Sequence, residues 1–187
     1  MDSDQLDIFN EQGQIIGQAS RGEIHKQGLL HQEVHVWFCT PKQEIIFQHR
    51  AKNKDTFPNK LDATVGGHVE AGDNFIQTAI KETMEETGLN LAENDFKLIQ
   101  IEPHYSADTI KSKINNTLRA IYYYKFLGHL KDLKIEAGKA QGFESWSINK
   151  LINITPEDKN RFIPTIFDDE YFQIFKQISE IEKWPMN

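Results

Sequence analysis

Cysteine is nearly absent: Cys39 is the one thiol in 187 residues. That excludes a disulfide framework within the chain and fits a reducing compartment. Long apolar runs are also missing. The longest stretch, Ala120 to Leu127, is interrupted by Lys125, far short of the roughly 20 residues a bilayer-spanning helix needs. Positive charge is scarce too. Lys and Arg number 21 against 28 Asp and Glu, giving a net charge of −7. A general grip on nucleic acid requires a basic face, so nucleic acid is not an expected partner. A small anionic substrate stays open, because a bound divalent metal can supply the local positive charge. The opening MDSDQLDIFN lacks the apolar core of a signal peptide, so a cytoplasmic location with no membrane partner is expected. No repeat or low-complexity tract interrupts the chain.

What is present suffices for a core: 39% of residues are hydrophobic, 12 of them Phe. A chain of this size buries roughly 70% of its unfolded surface and needs no structural staple. Leu6 to Asn10 and Gln14 to Gln18 flank Glu11-Gln12-Gly13 and predict a β-hairpin. Ser20 to Gln27 is either one short helix or an irregular connection. Val34 to Thr40 and Glu44 to His49 predict a second hairpin about Pro41-Lys42-Gln43. Arg50 to Lys60 is a polar, basic loop, and Leu61 to Gly72 is glycine-rich.

Asp73 is the expected N-cap of a helix from about Asn74 to Thr87, with Ile76, Ala79, Ile80 and Thr83 facing the core and Gly88 ending it. Phe96 to Pro103 and Thr117 to Leu127 predict strands joined by a polar loop from Tyr105 to Asn116. Gly142 to Ile148 predicts a last strand. Thr155-Pro156-Glu157-Asp158 has the form of a helix start. From Asp168 to Trp184, apolar residues at Tyr171, Ile174, Phe175, Ile178 and Ile181 predict an amphipathic closing helix. The pattern is α+β, a mixed sheet with helices packed on it.

Chemistry concentrates in Gly67 to Leu89, GHVEAGDNFIQTAIKETMEETGL. Glu82, Glu85 and Glu86 fall at i, i+3 and i+4, which puts three carboxylates on one helical face. Convergent carboxylates suit a hard divalent cation. A solvated acidic face would give the same triplet, and an isolated E-x-x-E-E would favour it. Here a glycine-rich loop enters the helix and Gly88-Leu89 closes it.

The segment resembles the Nudix box, G-x5-E-x7-R-E-U-x-E-E-x-G-U, where U is aliphatic. Gly67, Glu82, Glu85, Glu86, Gly88 and Leu89 match; Asp73, Lys81 and Thr83 stand where the box has Glu, Arg and an aliphatic residue. Asp73 keeps the charge with shorter reach, and Lys81 keeps a cation without the planar fork. The resemblance spans roughly residues 30 to 150. It implies a single Nudix domain over 1–187, its mixed β-sheet sandwiched between helices, with an N-terminal hairpin extension over 1–29 and a C-terminal helical extension over 151–187.

By resemblance, Mg2+ or Mn2+ is held by Glu85 and Glu86, with Glu82 a further ligand or the general base. Lys81 orients the cluster, Gly67 lets backbone approach it, and Asp73 belongs to the catalytic set. Glu136 and Glu144 are candidates for a later acidic ligand; exposed surface positions are the alternative for both. The implied activity is cleavage of a diphosphate linkage in a nucleoside diphosphate derivative or related organic diphosphate. A degenerate Nudix domain that only binds a ligand is an alternative.

A narrower likeness runs through Arg21, His25, His31, His35-Val36-Trp37, Gln48-His49-Arg50, Lys54 and Asp62 to His68. It resembles Nudix proteins close to type I isopentenyl-diphosphate isomerase, which uses histidines as metal ligands. His25, His35 and His68 are the positions most similar to that set. The isomerase itself is an alternative function. Yet Gly66 stands in place of its cysteine, and Ile114 to Arg119 lacks its glutamates, so isomerisation is not expected. Arg50, Lys54 and His68 are candidate substrate contacts, with Lys52 and Lys60 in the same basic loop. Lys111, Lys113 and Arg119 are weaker ones. Trp37, Phe38 and Tyr122 to Tyr124 either stack on a base or pack in the core, the latter favoured for strand aromatics. A homodimer is compatible with the sequence.

Overall fold

The computed structural model describes residues 5–54, 56–108 and 113–181; Asp4, Lys111 and Trp184 lie outside them. Strands β1 (Gln5–Phe9) and β2 (Ile15–Ser20) form the N-terminal hairpin. Ser20 then caps a true helix, α1 (Arg21–Gln27), which Gly28 ends in the left-handed conformation at φ 68°. Of the two alternatives for this segment, the helix is the one formed.

The main sheet is mixed. Strand β3 (His31–Cys39) pairs antiparallel with β4 (Glu44–Arg50) near their shared turn and parallel with β8 (Lys113–Lys125) along its whole length. Away from that turn β4 leaves β3, and β6 (Val65–His68) takes its place, setting Gly67 opposite Val34. β7 (Phe96–Asp108) extends the sheet beyond β8, while β5 (Leu61–Asp62) and β9 (Ala140–Ser147) pair with β4.

Two expected boundaries differ. The loop from Tyr105 to Asn116 is largely strand, because β7 and β8 stay in register out to Asp108 and Lys113. Cross-strand pairing there outweighs the polar composition. The glycine-rich segment contains β6, whose glycines complete the ladder beside β3 without filling the space next to it.

Period-two alternation on β3 feeds both faces of the sheet. Val34, Val36 and Phe38 pack with Ile46, Val65 and Ala79 under helix α2 (Phe75–Thr87). Trp37 and Cys39 pack with Phe47, Ile121 and Trp146 under α3 (Ile148–Ile152) and α5 (Asp169–Ile181). A short helix, α4 (Pro156–Lys159), begins at the Thr155 cap as expected. On α5, Tyr171, Ile174, Phe175 and Ile178 are buried, the stripe the sequence predicts. Burying each such side chain contributes about 1.5–3 kcal/mol. Trp37, Phe38, Tyr122 and Tyr123 are core residues. These packed faces hold α2 rigidly over β6.

Candidate functional site

Asn74, not Asp73, caps α2. Its side chain accepts from the Gln77 backbone N–H, and the Gln77 side chain accepts from that of Asn74, a reciprocal capping box. The helix ends at Gly88, φ 73°. Its inward stripe runs through Ala79, Glu82, Thr83 and Glu86, all buried. The three glutamates therefore do not share one environment: Glu82 and Glu86 point into the protein, and Glu85 is exposed beside them. The stripe was legible at Ala79 and Thr83; extending it by i+3 and i+4 reaches both buried carboxylates.

A cation already stands among them. Lys139, from the connection before β9, places Nζ 3.3 Å from Glu82 Oε2, 3.5 Å from Glu86 Oε1 and 3.2 Å from Glu136 Oε2. Gln48 on β4 donates from Nε2 to Glu86 Oε2 at 2.7 Å. Burial pushes the Glu86 carboxyl up to about 7 and raises that of Glu82, with Lys139 opposing both shifts. Lys139 itself is disfavoured by burial, but Glu82 and Glu86 outweigh this and hold it above its ordinary range. Lys139 carries no motif signal and was missed by sequence; Gln48 falls in the narrower likeness, but nothing in the sequence pairs it with Glu86. Glu136 belongs to this cluster. Glu144 lies elsewhere, bonded to Arg161 at 2.5 Å and to the Trp146 indole N–H at 2.9 Å.

Gly67 faces the cluster. A Cβ there would lie 2.3 Å from Glu82 Cδ, so the carboxylate occupies the space a side chain would take. Lys81, expected to orient the glutamates, makes its ion pair with Glu70 at 2.6 Å. Both partners are well exposed, so Lys81→Ala should cost under about 1 kcal/mol. It should also leave turnover within a few-fold of wild type. A large loss of kcat would restore an orienting role.

Arg50 is committed to its own loop, with Nη1 on Asp62 at 2.7 Å and Nη2 on the Thr56 carbonyl at 2.8 Å. It shapes the 51–60 segment instead of presenting a free guanidinium. Lys54 is half-buried on that segment, and burial, then Arg50 and Lys139, lowers its pKa. It is the loop cation electrostatically coupled to the cluster. Arg119 is buried, donating to Glu33 Oε1 at 2.7 Å and to the Tyr171 hydroxyl at 2.8 Å. Burial would raise the Glu33 carboxyl, but Arg119 holds it well below the usual range. His35 joins this network at the Tyr171 hydroxyl, 3.3 Å away.

The histidines the structure gathers are His25, His31 and His68, their ligand atoms all within 4.8 Å of one another. His35 is not among them. It lies four residues along β3 from His31, roughly 13 Å at strand rise, and stands opposite Gly66. Among the described residues, no helix is long and apolar enough to cross a membrane.

Comparison with known proteins places this arrangement. The NUDIX domain model matches residues 29–166. An uncharacterized Nudix hydrolase of Clostridium acetobutylicum is 30% identical over 81% of this chain and 73% of its own length. Nudix hydrolase 3 of Arabidopsis thaliana is 26% identical over 96% of this chain, which spans 24% of that larger protein. In structure, DR0079 of Deinococcus radiodurans aligns with a TM-score of 0.67 at 16% identity, covering 92% of this chain and 98% of that one. The NUDIX domain of Shewanella oneidensis NrtR, complexed with ADP ribose, aligns with a TM-score of 0.54 at 13% identity, covering 81% and 86%. With the domain match covering most of the chain, and the box glutamates on the helix where the motif requires them, the chain belongs to the Nudix family.

Proposed function

We propose that this protein is a divalent-metal-dependent hydrolase that cleaves the diphosphate linkage of a nucleoside diphosphate derivative or a related organic diphosphate. The observation that carries the reading is the convergence of Glu82, Glu86 and Glu136 on one cationic group, with Glu85 beside them. An all-oxygen donor set that already holds an ammonium suits Mg2+ or Mn2+. Glu85 and Glu86 would hold the ion, with Gln48 fixing the Glu86 carboxylate. When bound, the metal neutralises charge on the diphosphate and stabilises the departing oxygens. Glu82, less deeply buried than Glu86, accepts the proton of the attacking water. Lys54 pairs with a substrate phosphate oxygen as a point charge. The ADP ribose held by the NrtR domain supports a nucleoside diphosphate derivative as the substrate class.

The test is a screen of ADP-ribose, other nucleoside diphosphate derivatives and non-nucleotide diphosphates with Mg2+ or Mn2+, read by product chromatography. Metal-dependent release of monophosphate products is expected. A folded protein that turns over none of them with either metal sinks the reading.

Lys139 favours one second reading, a domain that binds a ligand without hydrolysing it, because an internal cation neutralises the cluster. Under the hydrolase reading Lys139 would leave the glutamates when they hold an ion. Lys139→Met should then raise Mg2+ affinity by about tenfold, the effect of removing ~1.4 kcal/mol of competition, measured by calorimetry. Wild type that binds no Mg2+, beside a Lys139→Met variant that does, would establish the ligand-only reading.

A further inference from the structure

We propose that Phe57 is the platform on which the base of a nucleoside diphosphate derivative stacks. The proposal rests on the diphosphate reading for one end of the substrate and adds what holds the other. Phe57 is 48% exposed, and its backbone lies in the left-handed region at φ 46°. A bulky side chain is rarely found there. Pro58 strains it further, because the residue before a proline favours extended conformations. Such a backbone persists only where its surroundings over-determine it, and strained residues cluster at ligand clamps.

Both flanks of Phe57 are pinned. On one side, Arg50 donates to the Thr56 carbonyl from Nε at 3.2 Å and from Nη2 at 2.8 Å. On the other, Gln141 donates from Nε2 to Asn59 Oδ1 at 2.9 Å, and His49 Nε2 lies 3.2 Å from the Asn59 carbonyl. These bonds fix the turn while leaving the ring half in solvent, the arrangement of a preorganised stacking surface.

The same bonds tie the ring to the glutamates. Gln141 also donates to the Arg50 carbonyl at 2.8 Å, and the Ala51 N–H donates to the Lys139 carbonyl at 3.0 Å. The loop is thus anchored along the segment that carries Lys139 into the cluster. Phe57 is two residues from Asn59, and Gln141 is two residues from Lys139; each such step spans at most about 7 Å. Lys54 stands three residues before Phe57, and its charge interacts with Lys139 and Glu86. Base on Phe57, phosphate on Lys54 and the glutamates beyond follow the order of groups in a nucleoside diphosphate. A bare diphosphate gains nothing from an aromatic face. Every base has a π-face, so stacking favours nucleotides without choosing among bases.

Two non-hydrolysable ligands test this on the full chain: α,β-methylene-ADP, and methylenediphosphonate, which has the same P–C–P unit without the nucleoside. Affinities are measured by calorimetry in saturating Mg2+. Wild type should hold the nucleotide at least about tenfold more tightly. Phe57→Ala and Phe57→Leu should each lower nucleotide affinity about tenfold and leave methylenediphosphonate unchanged, and Phe57→Trp should keep both at wild-type values. A loop merely loosened by substitution would weaken both ligands, because Lys54 is part of it. No preference for the nucleotide in wild type overturns the platform and leaves the diphosphate reading standing. So does a Phe57→Ala variant that loses neither ligand, or both equally, and so does a Phe57→Leu variant that binds the nucleotide as wild type does. Wild type that binds neither ligand overturns both readings.

Discussion

Replacing Glu86 with glutamine is expected to remove metal-dependent turnover while making the metal-free protein more stable at pH 8. The two effects have one cause. Glu86 is 3% exposed, and burial raises its pKa from 4.5 to about 7 even with Lys139 beside it. A carboxyl whose folded pKa is raised contributes stability that is fully present below the unfolded value and is lost as pH rises through the folded value. The window is therefore from about pH 4.5 to about pH 7, and the loss approaches ~3 kcal/mol on a shift of this size. Glutamine mimics the protonated carboxyl and still accepts the Gln48 hydrogen bond, so it removes Glu86's share of that decline. It also removes the charge a hard cation requires, and kcat should fall at least about 100-fold, as when a preorganised electrostatic partner is lost. Urea unfolding in EDTA at pH 5 and pH 8, with turnover at saturating Mg2+, checks both. The sequence alone places the three glutamates on one helical face and gives no sign that Glu86 is buried. Parallel stability profiles in wild type and variant would refute the pKa argument, and near-normal turnover would refute the metal role.

The second large effect is expected from a single methyl group at Gly67. Its Cβ would fall 2.3 Å from Glu82 Cδ and 2.4 Å from Oε1, so Glu82 must swing away. That movement takes the carboxylate from Lys139 and out of the metal cluster. Overpacking of this kind costs about 1–3 kcal/mol. The larger consequence is for function: Gly67→Ala should lower both Mg2+ affinity and kcat by at least about tenfold, the cost of ~1.4 kcal/mol in positioning. Gly66→Ala is the internal control. Its Cβ would meet His35 Cδ2 at 3.3 Å, on the other face of β6, so Mg2+ affinity should change little. Equal effects from the two substitutions would show that the strand, not the Glu82 clash, is what matters.

The glutamate triplet and the helix beneath it were legible because they depend on near neighbours in sequence. Gly88 ends α2 in the left-handed conformation, and Asn74 shifts the cap by one residue. Apolar alternation on β3 and the stripe on α5 likewise marked the elements that bury them. What local patterning could not reveal was partner choice across the chain. Lys139 lies 53 residues beyond Glu86 by their numbering, yet it neutralises the cluster, while Lys81 turns to Glu70. Arg119 is a weaker candidate substrate contact in the sequence. Pairing of β3 with β8 sets it opposite Glu33, and α5 brings Tyr171 onto it.

The histidines show the division most sharply. From the sequence, His25, His35 and His68 formed the natural set. The β3–β6 register instead sets His35 against Gly66, and α1 carries His25 to His31 and His68 at the start of the strand. Sequence by itself determined the family motif, the α+β class and the identity of the acidic helix, because hydrophobic periodicity and capping act over a few residues. Tertiary structure decided which charges are buried, which cation faces them and which imidazoles meet, because desolvation and Coulomb forces depend on distances that only strand register and helix packing set.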